Sequence, residues 1–345
     1  MKYGLRKKKR MLLLMLLTGL LLTPGAAYGV EKESAGKARA AAPQLHEARP
    51  SGGQATQQKR QDSSRETRPA TGATVQEPGI EKAAGNADSE SPAAGARQQK
   101  LQALINQINS LAAAAGSTYG VSVLELNSGN SFGVNQDQWF QAASTFKVPL
   151  LADVLQQIQE GKVDPGAVET YTPADYESGT GSIQYTNYGS QWTVAQLEQK
   201  MMNQSDNVAK NIFIRMLGLD QISDFITGNG SVFDVENNRT TPASMTNMLM
   251  MIYENKIVSP RLTGQMFDLM TNTYKEDELP RFLRGVRVAH KNGAWGSSVS
   301  DAGVVFLPGK PYIISVYSDS NPEPDQAEAT IGQISLAIYN FENSN

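Results

Sequence analysis

The sequence predicts an α/β domain: an antiparallel five-stranded sheet formed from both ends of the domain, flanked by helices, with an inserted all-helical subdomain. Three observations predict this fold. Two strand patterns lie near the start of the globular region, three lie near its end, and helical patterns fill the long middle. Because strands bury their apolar faces against other elements, we expect the two groups of strands to meet in one sheet.

Apolar spacing and turn residues locate the individual elements. Residues 98–115 carry apolar side chains at helical spacing, and residues 119–134 predict two strands joined by a Gly-containing turn at 127–130. The remaining elements, in chain order, are helices over residues 145–161, 193–203, 207–217 and 241–255, strands over 287–294, 300–308 and 311–319, and a last helix over 326–341.

Several of these helices carry end signals. Thr193 and Gln196 have the spacing of a capping box, and Thr241 followed by Pro242 is typical of an N-cap and a first turn. Pro149 lies just past the start of the helix over 145–161. A proline there predicts a local kink or a tight first turn, because it cannot donate a backbone hydrogen bond.

Residues 1–29 have the anatomy of a secretory signal peptide. Residues 2–10 include six basic residues and no acidic one, residues 11–22 are almost wholly Leu and Met, and Ala27 and Gly29 follow in an A-x-A-like pattern. The apolar run is shorter than the roughly 20 residues that span a bilayer. A retained membrane anchor is the alternative interpretation.

Residues 30–97 predict a disordered tether, and residues 98–345 predict the folded domain. Residues 31–97 contain no aromatic residue, and their only large aliphatic residues are Leu45, Val75 and Ile80. Such a segment buries too little apolar surface to offset the entropy of ordering it. The tether suggests association with the cell wall or a membrane surface, and we expect the domain to be a monomer.

Composition excludes several classes of function. The chain has no cysteine, which excludes disulfides, thiolate catalysis and Cys-ligated zinc. Residues 98–345 carry 15 basic and 25 acidic side chains, and this acidic balance argues against nucleic acid as a partner. No metal or organic cofactor is implied.

Ser144 and Lys147 form the first candidate catalytic pair. Their i, i+3 spacing places both side chains on one helical face, where a neutral lysine could take the serine proton. Backbone N–H groups at the helix start could stabilise an oxyanion. The pattern alone has little specificity, because Ser34 and Lys37 repeat it in the tether and a serine at a helix start is commonly only a cap.

Two further short motifs follow in the chain. Ser205, Asp206 and Asn207 lie between two predicted helices, 61 residues after Ser144. Lys291 opens a Lys-Asn-Gly triplet on a predicted strand, 86 residues after Ser205. Each motif alone is weak, since Ser, Asp and Asn are common helix caps. The three motifs in this order and context are specific.

Together the motifs resemble those of the class A β-lactamases, within the penicillin-recognising serine enzymes that include the D,D-peptidases. The resemblance covers nearly all of residues 98–345. It implies that Ser144 is the acylated nucleophile and that Lys147, kept neutral partly by the charge of Lys291, is the general base. It further implies that Ser205 passes the proton to the leaving nitrogen.

The resemblance also assigns the residues that hold the substrate. It implies that Asn207 binds the amide of the substrate and that Lys291 attracts its carboxylate. The backbone N–H groups of Ser144 and Ala294 would form the oxyanion hole. Gly293 matches the family's Lys-Thr-Gly or Lys-Ser-Gly triplet, but Asn292 replaces the hydroxyl residue, which alters carboxylate binding.

A second departure concerns the deacylation step. Class A β-lactamases carry an Ω loop with a Glu-x-x-Leu-Asn motif between the positions of Asn207 and Pro242, and its glutamate activates water. That motif is absent here, and the segment is too short for the loop. Glu236 is the first candidate replacement. We therefore expect acylation to occur and deacylation to be slow.

Three functions remain open from the sequence. The leading one is hydrolysis of β-lactams, and the alternatives are D,D-peptidase-like or esterase activity on peptidoglycan stem peptides, or stable binding of β-lactams without turnover. A Ser–His triad through His290 is disfavoured, because strand alternation should point His290 to the opposite sheet face from Lys291.

Overall fold

A computed structural model describes residues 92–271 and 273–344 of the chain. The predicted signal peptide, residues 1–29, and most of the predicted tether lie outside the described residues. The first helix, α1 (Pro92–Ala115), begins six residues before Gln98, where the sequence places the start of the domain. Within the described ranges, no helix combines the length and apolarity needed to cross a membrane.

The described residues contain α-helices, β-strands and short 3₁₀ turns. The other α-helices are α2 (Lys147–Gln159), α3 (Val194–Asn203), α4 (Asn207–Leu217), α5 (Leu219–Gly228), α6 (Pro242–Tyr253), α7 (Pro260–Thr271) and α8 (Pro324–Asn343). The strands are β1 (Thr118–Glu125), β2 (Ser131–Val134), β3 (Phe140–Gln141), β4 (Val168–Thr170), β5 (Gln191–Thr193), β6 (Phe233–Asp234), β7 (Arg239–Thr240), β8 (Val288–Trp295), β9 (Ser298–Val305) and β10 (Tyr312–Asp319). Single 3₁₀ turns occur at Ala143–Phe146, Pro173–Asp175 and Ile183–Tyr185.

The main sheet joins the two ends of the domain. Its five strands lie in the order β2-β1-β10-β9-β8, and each neighbouring pair is antiparallel. Strand β1 pairs along its whole length with β10, from Thr118 opposite Asp319 to Glu125 opposite Tyr312. The predicted meeting of the two strand groups in one five-stranded antiparallel sheet is therefore confirmed.

Apolar cores lie on both faces of the sheet. On one face, α1 and α8 cover the sheet, and α8 buries four apolar side chains there: Ile331, Ile334, Ile338 and Phe341. On the other face lies the helical middle of the chain, with α2 at its centre. Ten of the 13 residues of α2 are buried, so its first turn is held inside the molecule.

The predicted helix ends are confirmed. The Thr193 hydroxyl accepts from the Gln196 backbone N–H at 3.2 Å, and the Gln196 side chain accepts from the Thr193 backbone N–H at 2.9 Å. Thr241 caps α6. The chain enters α2 through the 3₁₀ turn Ala143–Phe146, so Pro149 falls at the third position of α2, where no backbone N–H is required.

Helices α5 and α7 and the short strands β3, β4, β5, β6 and β7 were not predicted. Helix α5 follows α4 directly, because Gly218 adopts a positive φ of 84° that lets the chain turn between them. Helix α7 contains Gly264, which weakens its local helical signal. Two-residue strands carry too few residues for an alternating pattern to be detected.

The packing of α3 against α7 leads to a first prediction, on stability. Glu198 of α3 is buried, accepts one hydrogen bond from Gln265 of α7 and has one carboxylate oxygen without a partner among the described residues. Burial raises the pKa of Glu198 to about 7. The folded state therefore binds a proton that the unfolded chain releases, and stability falls as pH rises from roughly 4.5 to 7.

We expect Glu198→Gln to raise the free energy of unfolding by about 2 kcal/mol at pH 8, because the neutral amide avoids burying a charge. The gain should shrink toward zero near pH 4. Urea unfolding at both pH values measures it, with Asp224→Asn, which changes an exposed acid, as the control. A gain of equal size at both pH values would contradict the argument.

Candidate active site

Ser144 lies in the 3₁₀ turn that precedes α2, where it is half-buried. Strand β8 passes so close to this turn that a Cβ on Gly293 would lie 2.6 Å from the Ser144 backbone nitrogen and 3.0 Å from the Ala142 carbonyl oxygen. Only glycine allows this approach. The backbone of the Lys-Asn-Gly triplet therefore packs directly against the backbone of the serine turn.

The amine of Lys147 is the centre of the site. Its Nζ lies 3.0 Å from Ser144 Oγ, 3.1 Å from Ser205 Oγ and 3.0 Å from Asn207 Oδ1, and it donates to the Ser205 carbonyl at 2.6 Å. The residue is fully buried. Burial, followed by the positive charges of Lys291 and Lys210, holds the pKa of Lys147 well below its usual value.

In the Ser-Asp-Asn stretch, Asp206 stabilises the backbone, and Ser205 and Asn207 contact Lys147. The Asp206 side chain caps α4 by accepting from the Ala209 backbone N–H at 3.0 Å, and it also accepts from the Ile183 backbone N–H at 2.9 Å. Ser205 adopts a positive φ of 53°, which is uncommon for a serine. The cap at Asp206 therefore fixes the backbone so that the Ser205 and Asn207 side chains lie within hydrogen-bond distance of Lys147 Nζ.

A segment that the sequence analysis did not single out, residues 177–182, lies against this stretch. Thr180 Oγ1 donates to the Ser205 carbonyl at 2.7 Å, and the Thr180 carbonyl accepts from the Asn207 backbone N–H at 3.2 Å. Gly181 has a φ of 97°, and a Cβ there would lie 2.2 Å from the Asp206 carboxylate. The closely spaced glycines in this segment were the signal that could have located it.

Lys291 and Asn292 are both buried on β8. Lys291 Nζ donates to the Asn292 backbone carbonyl at 2.7 Å and to Asn292 Oδ1 at 3.2 Å, and Asn292 Nδ2 donates to Glu278 Oε1 at 3.1 Å. Burial lowers the pKa of Lys291 to about 8, against the opposing charges of Asp301 and Glu278. Both ends of the Asn292 amide are therefore bound within the protein, and the buried partner Glu278 is a residue that sequence reasoning missed.

His290 has no contact with Ser144. Its Nδ1 lies 2.8 Å from Asp301 Oδ2, and its Nε2 lies 3.2 Å from Thr273 Oγ1 and 3.5 Å from Glu276 Oε2. Burial favours the neutral ring, but the charges of Asp301 and Glu276 outweigh it and raise the pKa of His290 to about 9. The prediction that His290 faces away from the Ser144 side is consistent with these contacts.

These residues surround a cleft of about 450 Å³. The predicted site residues that line it are Ser144, Ser205, Asn207, Asn292, Gly293 and Ala294. Lys147 and Lys291 lie buried behind this wall. Lining residues that the sequence analysis missed include Glu177, Thr180, Lys210, Asn238, Tyr274 and Lys275.

The structure does not bring Glu236 to the cleft. Glu236 is exposed in the turn between β6 and β7, where the nearby Asp234 carboxylate is used to bind Asn237. Asn238 of the same turn lines the cleft instead. In the part of the chain that the structure describes, no group of three or more His, Asp or Glu side chains is placed to hold a metal ion.

Comparison with known proteins agrees with this geometry. A family model described as "Beta-lactamase enzyme family" matches residues 102–341. Beta-lactamase VEB-1 of Pseudomonas aeruginosa is 24% identical over 272 residues, which cover 68% of this chain and 89% of that relative. The solved structure of PBP-A is 29% identical with a TM-score of 0.67, covering 71% of this chain and 97% of that one. A PBP-A variant solved as an acyl-enzyme complex with penicillin G is 30% identical, with a TM-score of 0.67 and coverage of 71% and 98%.

The bond between Asn292 and Glu278 leads to a second prediction. Burial, together with the charge of Asp301, raises the pKa of Glu278 to about 7, and the bond from Asn292 acts in the opposite direction. We expect Asn292→Thr to lower the free energy of unfolding by about 1–3 kcal/mol at pH 8, because the shorter side chain leaves a buried carboxylate without its donor. The loss should be smaller at pH 5, where Glu278 is protonated.

A double-mutant cycle provides the control for this prediction. In a Glu278→Met background the carboxylate is gone, so Asn292→Thr should cost less than half as much. Chemical unfolding of the four proteins measures the coupling. Equal losses in both backgrounds would show that the two side chains do not act as a pair.

Proposed function

The chain belongs to the beta-lactamase enzyme family and is a serine hydrolase of the class A β-lactamase type, and from this premise we propose that β-lactams acylate Ser144. One observation carries the proposal. A buried lysine whose pKa is held low lies 3.0 Å from the Ser144 hydroxyl. A neutral amine at hydrogen-bond distance is what a serine hydroxyl needs to become a nucleophile.

The contacts support a sequence of proton transfers. Lys147 takes the proton of Ser144 while Oγ attacks the β-lactam carbonyl carbon, and the backbone N–H groups of Ser144 and Ala294 receive the oxyanion. Ser205 Oγ, 3.1 Å from Lys147 Nζ, then passes the proton to the ring nitrogen as the amide bond breaks. The product of this half-reaction is an ester on Ser144.

Substrate binding follows from the other residues of the cleft wall. Asn207 Oδ1 accepts from Lys147 Nζ, and Asn207 Nδ2 donates to the Ser178 carbonyl at 3.2 Å. This placement at the cleft wall suits the Asn207 side chain to bind the amide side chain of a β-lactam. Lys291 supplies positive charge for the carboxylate. Because Asn292 is bonded to Glu278 and Lys291, it contributes less to carboxylate binding than the hydroxyl residue of related enzymes.

We propose that turnover is slow. The segment between α4 and α6 consists of α5 and the β6–β7 hairpin, and it carries no Glu-x-x-Leu-Asn motif. Glu236, the first candidate to replace the missing glutamate, lies outside the cleft. The similarity to a PBP-A variant solved as an acyl-enzyme with penicillin G supports an ester that persists long enough to be observed.

A second candidate function is D,D-peptidase-like or esterase activity on peptidoglycan stem peptides. A third is stable binding of β-lactams, in which the acyl-enzyme forms but is not hydrolysed. The missing Glu-x-x-Leu-Asn motif between Asn207 and Pro242 favours peptidase-like activity. The likeness to a PBP-A variant solved as an acyl-enzyme with penicillin G favours stable β-lactam binding. Release of D-Ala from a stem-peptide mimic distinguishes peptidase-like activity from a β-lactamase. A mass adduct that persists for hours distinguishes stable binding from both.

We also propose that the protein acts outside the cytoplasm as a monomer. The support is the sequence of residues 1–29, which has the pattern of a secretory signal, and the composition of the tether that follows. The tether would let the domain work at the cell wall or the membrane surface. Mass spectrometry of the mature N-terminus tests whether the signal segment is removed.

The third prediction tests the nucleophile. Purified protein mixed with benzylpenicillin should gain the mass of one penicillin, and Ser144→Ala should gain none, because the proposed role of Ser205, the other hydroxyl beside Lys147, is to pass the proton to the leaving nitrogen. Ser178→Ala, which removes another serine of the cleft wall, serves as the matched control and should be acylated normally. Labelling of Ser144→Ala would overturn the assignment.

The fourth prediction concerns the pH dependence of acylation. The acylation rate should rise with pH as Lys147 loses its proton, and the charge of Lys291 helps to lower the pKa of Lys147. Lys291→Met should therefore move this rising limb to higher pH, by about 1 unit or more.

Stopped-flow acylation rates between pH 5 and 10 measure this shift. Lys275→Met, which removes a different lysine of the cleft wall, should move the limb less. If Lys291→Met weakens binding but leaves the rising limb in place, then Lys291 does not help to keep Lys147 neutral.

A further inference from the structure

Glu177 is the carboxylate of the cleft. Among the described residues that line the cleft, it is the only acidic one. Its Oε2 accepts from Lys210 Nζ at 2.7 Å and from Asn211 Nδ2 at 3.0 Å. No described residue donates to its Oε1, and the side chain as a whole is 43% exposed.

Helix α4 places this carboxylate near the catalytic amine. Asn207, Lys210 and Asn211 share one face of α4, since they are three and four residues apart. Asn207 Oδ1 lies 3.0 Å from Lys147 Nζ, and Asn211 Nδ2 binds Glu177. One helical turn rises about 5.4 Å, so the two contacts place the Glu177 carboxylate about one turn of α4 further along the same face as the Lys147 amine.

The backbone that carries Glu177 is fixed to the same stretch of chain. The Ser178 carbonyl accepts from Asn207 Nδ2 at 3.2 Å, and Thr180 is bonded to Ser205 and Asn207. Gly179 allows a close approach as well, because a Cβ there would lie 3.1 Å from Asn207 Nδ2. Glu177 is therefore held by both its backbone and its side chain.

We propose that Glu177 is the general base that activates water for hydrolysis of the acyl-enzyme, and this inference rests on the proposed acylation of Ser144. Glu177 Oε1 takes one proton from a water molecule while the water oxygen bonds to the ester carbonyl carbon. The tetrahedral intermediate then collapses, and the bond between that carbon and Ser144 Oγ breaks. The proton held by Glu177 returns to Oγ through Lys147, which regenerates the serine and releases a carboxylic acid.

Glu177 precedes the Ser-Asp-Asn stretch in sequence, whereas the glutamate of the class A Ω loop lies between the positions of Asn207 and Pro242. Glu236 in that stretch lies outside the cleft. Lys210 and Asn211 bind only Oε2, and this leaves the orientation of Oε1 fixed without occupying it. The carboxylate is thus positioned for water before a substrate arrives.

The test, which is the fifth prediction, is the decay of the acyl-enzyme in the full-length protein carrying Glu177→Gln. Wild type and variant are mixed with benzylpenicillin, free penicillin is removed, and intact mass is followed with time at several pH values. We expect Glu177→Gln still to form the adduct, and the adduct to decay about 100-fold more slowly than that of the wild type, the lower range for loss of a general base. The decay of the wild type should increase with pH, and this dependence should vanish in the variant.

Glu236→Gln is the matched control, because it changes the exposed glutamate to the same amide, and its adduct should decay at the wild-type rate. A variant that folds poorly is still informative, since the decay of the fraction that becomes acylated is measured by itself. Glu177→Asp should restore part of the decay rate, because it keeps a carboxylate in the cleft.

The outcomes separate this inference from the proposed function. If the wild type forms no adduct at all, the proposed acylation fails. If the adduct forms and Glu177→Gln loses it at the wild-type rate and with the wild-type pH dependence, Glu177 is not the base. Slow decay in Glu236→Gln instead, or a wild-type adduct that shows no decay over many hours, also overturns the proposal.

Discussion

The site depends on the burial of the Lys147 side chain with its amine in the neutral, unprotonated form. A buried ammonium would need a counter-charge, but the atoms around Nζ are the neutral oxygens of Ser144, Ser205 and Asn207. Uncharged oxygens compensate poorly for the lost hydration of an ion, so the surroundings favour the free base. The buried helix α2, the cap at Asp206 and the glycine at position 293 all serve to bring those oxygens and no carboxylate to Nζ.

The sheet, the main helices and the motif residues were predictable because their signals are local. The apolar residues of Tyr312–Asp319 indicate β10, the Thr193–Gln196 capping box indicates α3, and strand alternation separated His290 from Lys291. The resemblance of the ordered motifs then predicted which residues share the cleft. Ser144, Lys147, Ser205 and Asn207 do meet, and Lys291 lies behind the cleft wall.

The parts that could not be predicted depend on contacts between distant residues. Asn211 binds Glu177 across 34 positions, and Asn292 binds Glu278 across 14. Neither glutamate has a distinctive local sequence, since an acidic residue in a polar loop is usually solvated. Glu236 was predicted because it lies in the segment that replaces the expected loop, but it does not line the cleft. The position of a residue in the sequence does not determine where a turn directs its side chain.

The pairing of β1 with β10 has a consequence for how the enzyme comes into being. The serine turn and the Ser-Asp-Asn stretch are made well before β8, whose Gly293 and Lys291 complete the site. A chain whose last strands have not joined the sheet leaves the β1 edge unpaired, and we expect its Lys147 to be hydrated and protonated, because burial is the main cause of the lowered Lys147 pKa. We expect such a chain to be inert toward β-lactams. Reactivity therefore arises only once the last strands have joined the sheet, so the sheet acts as a requirement for the nucleophile as well as for the fold.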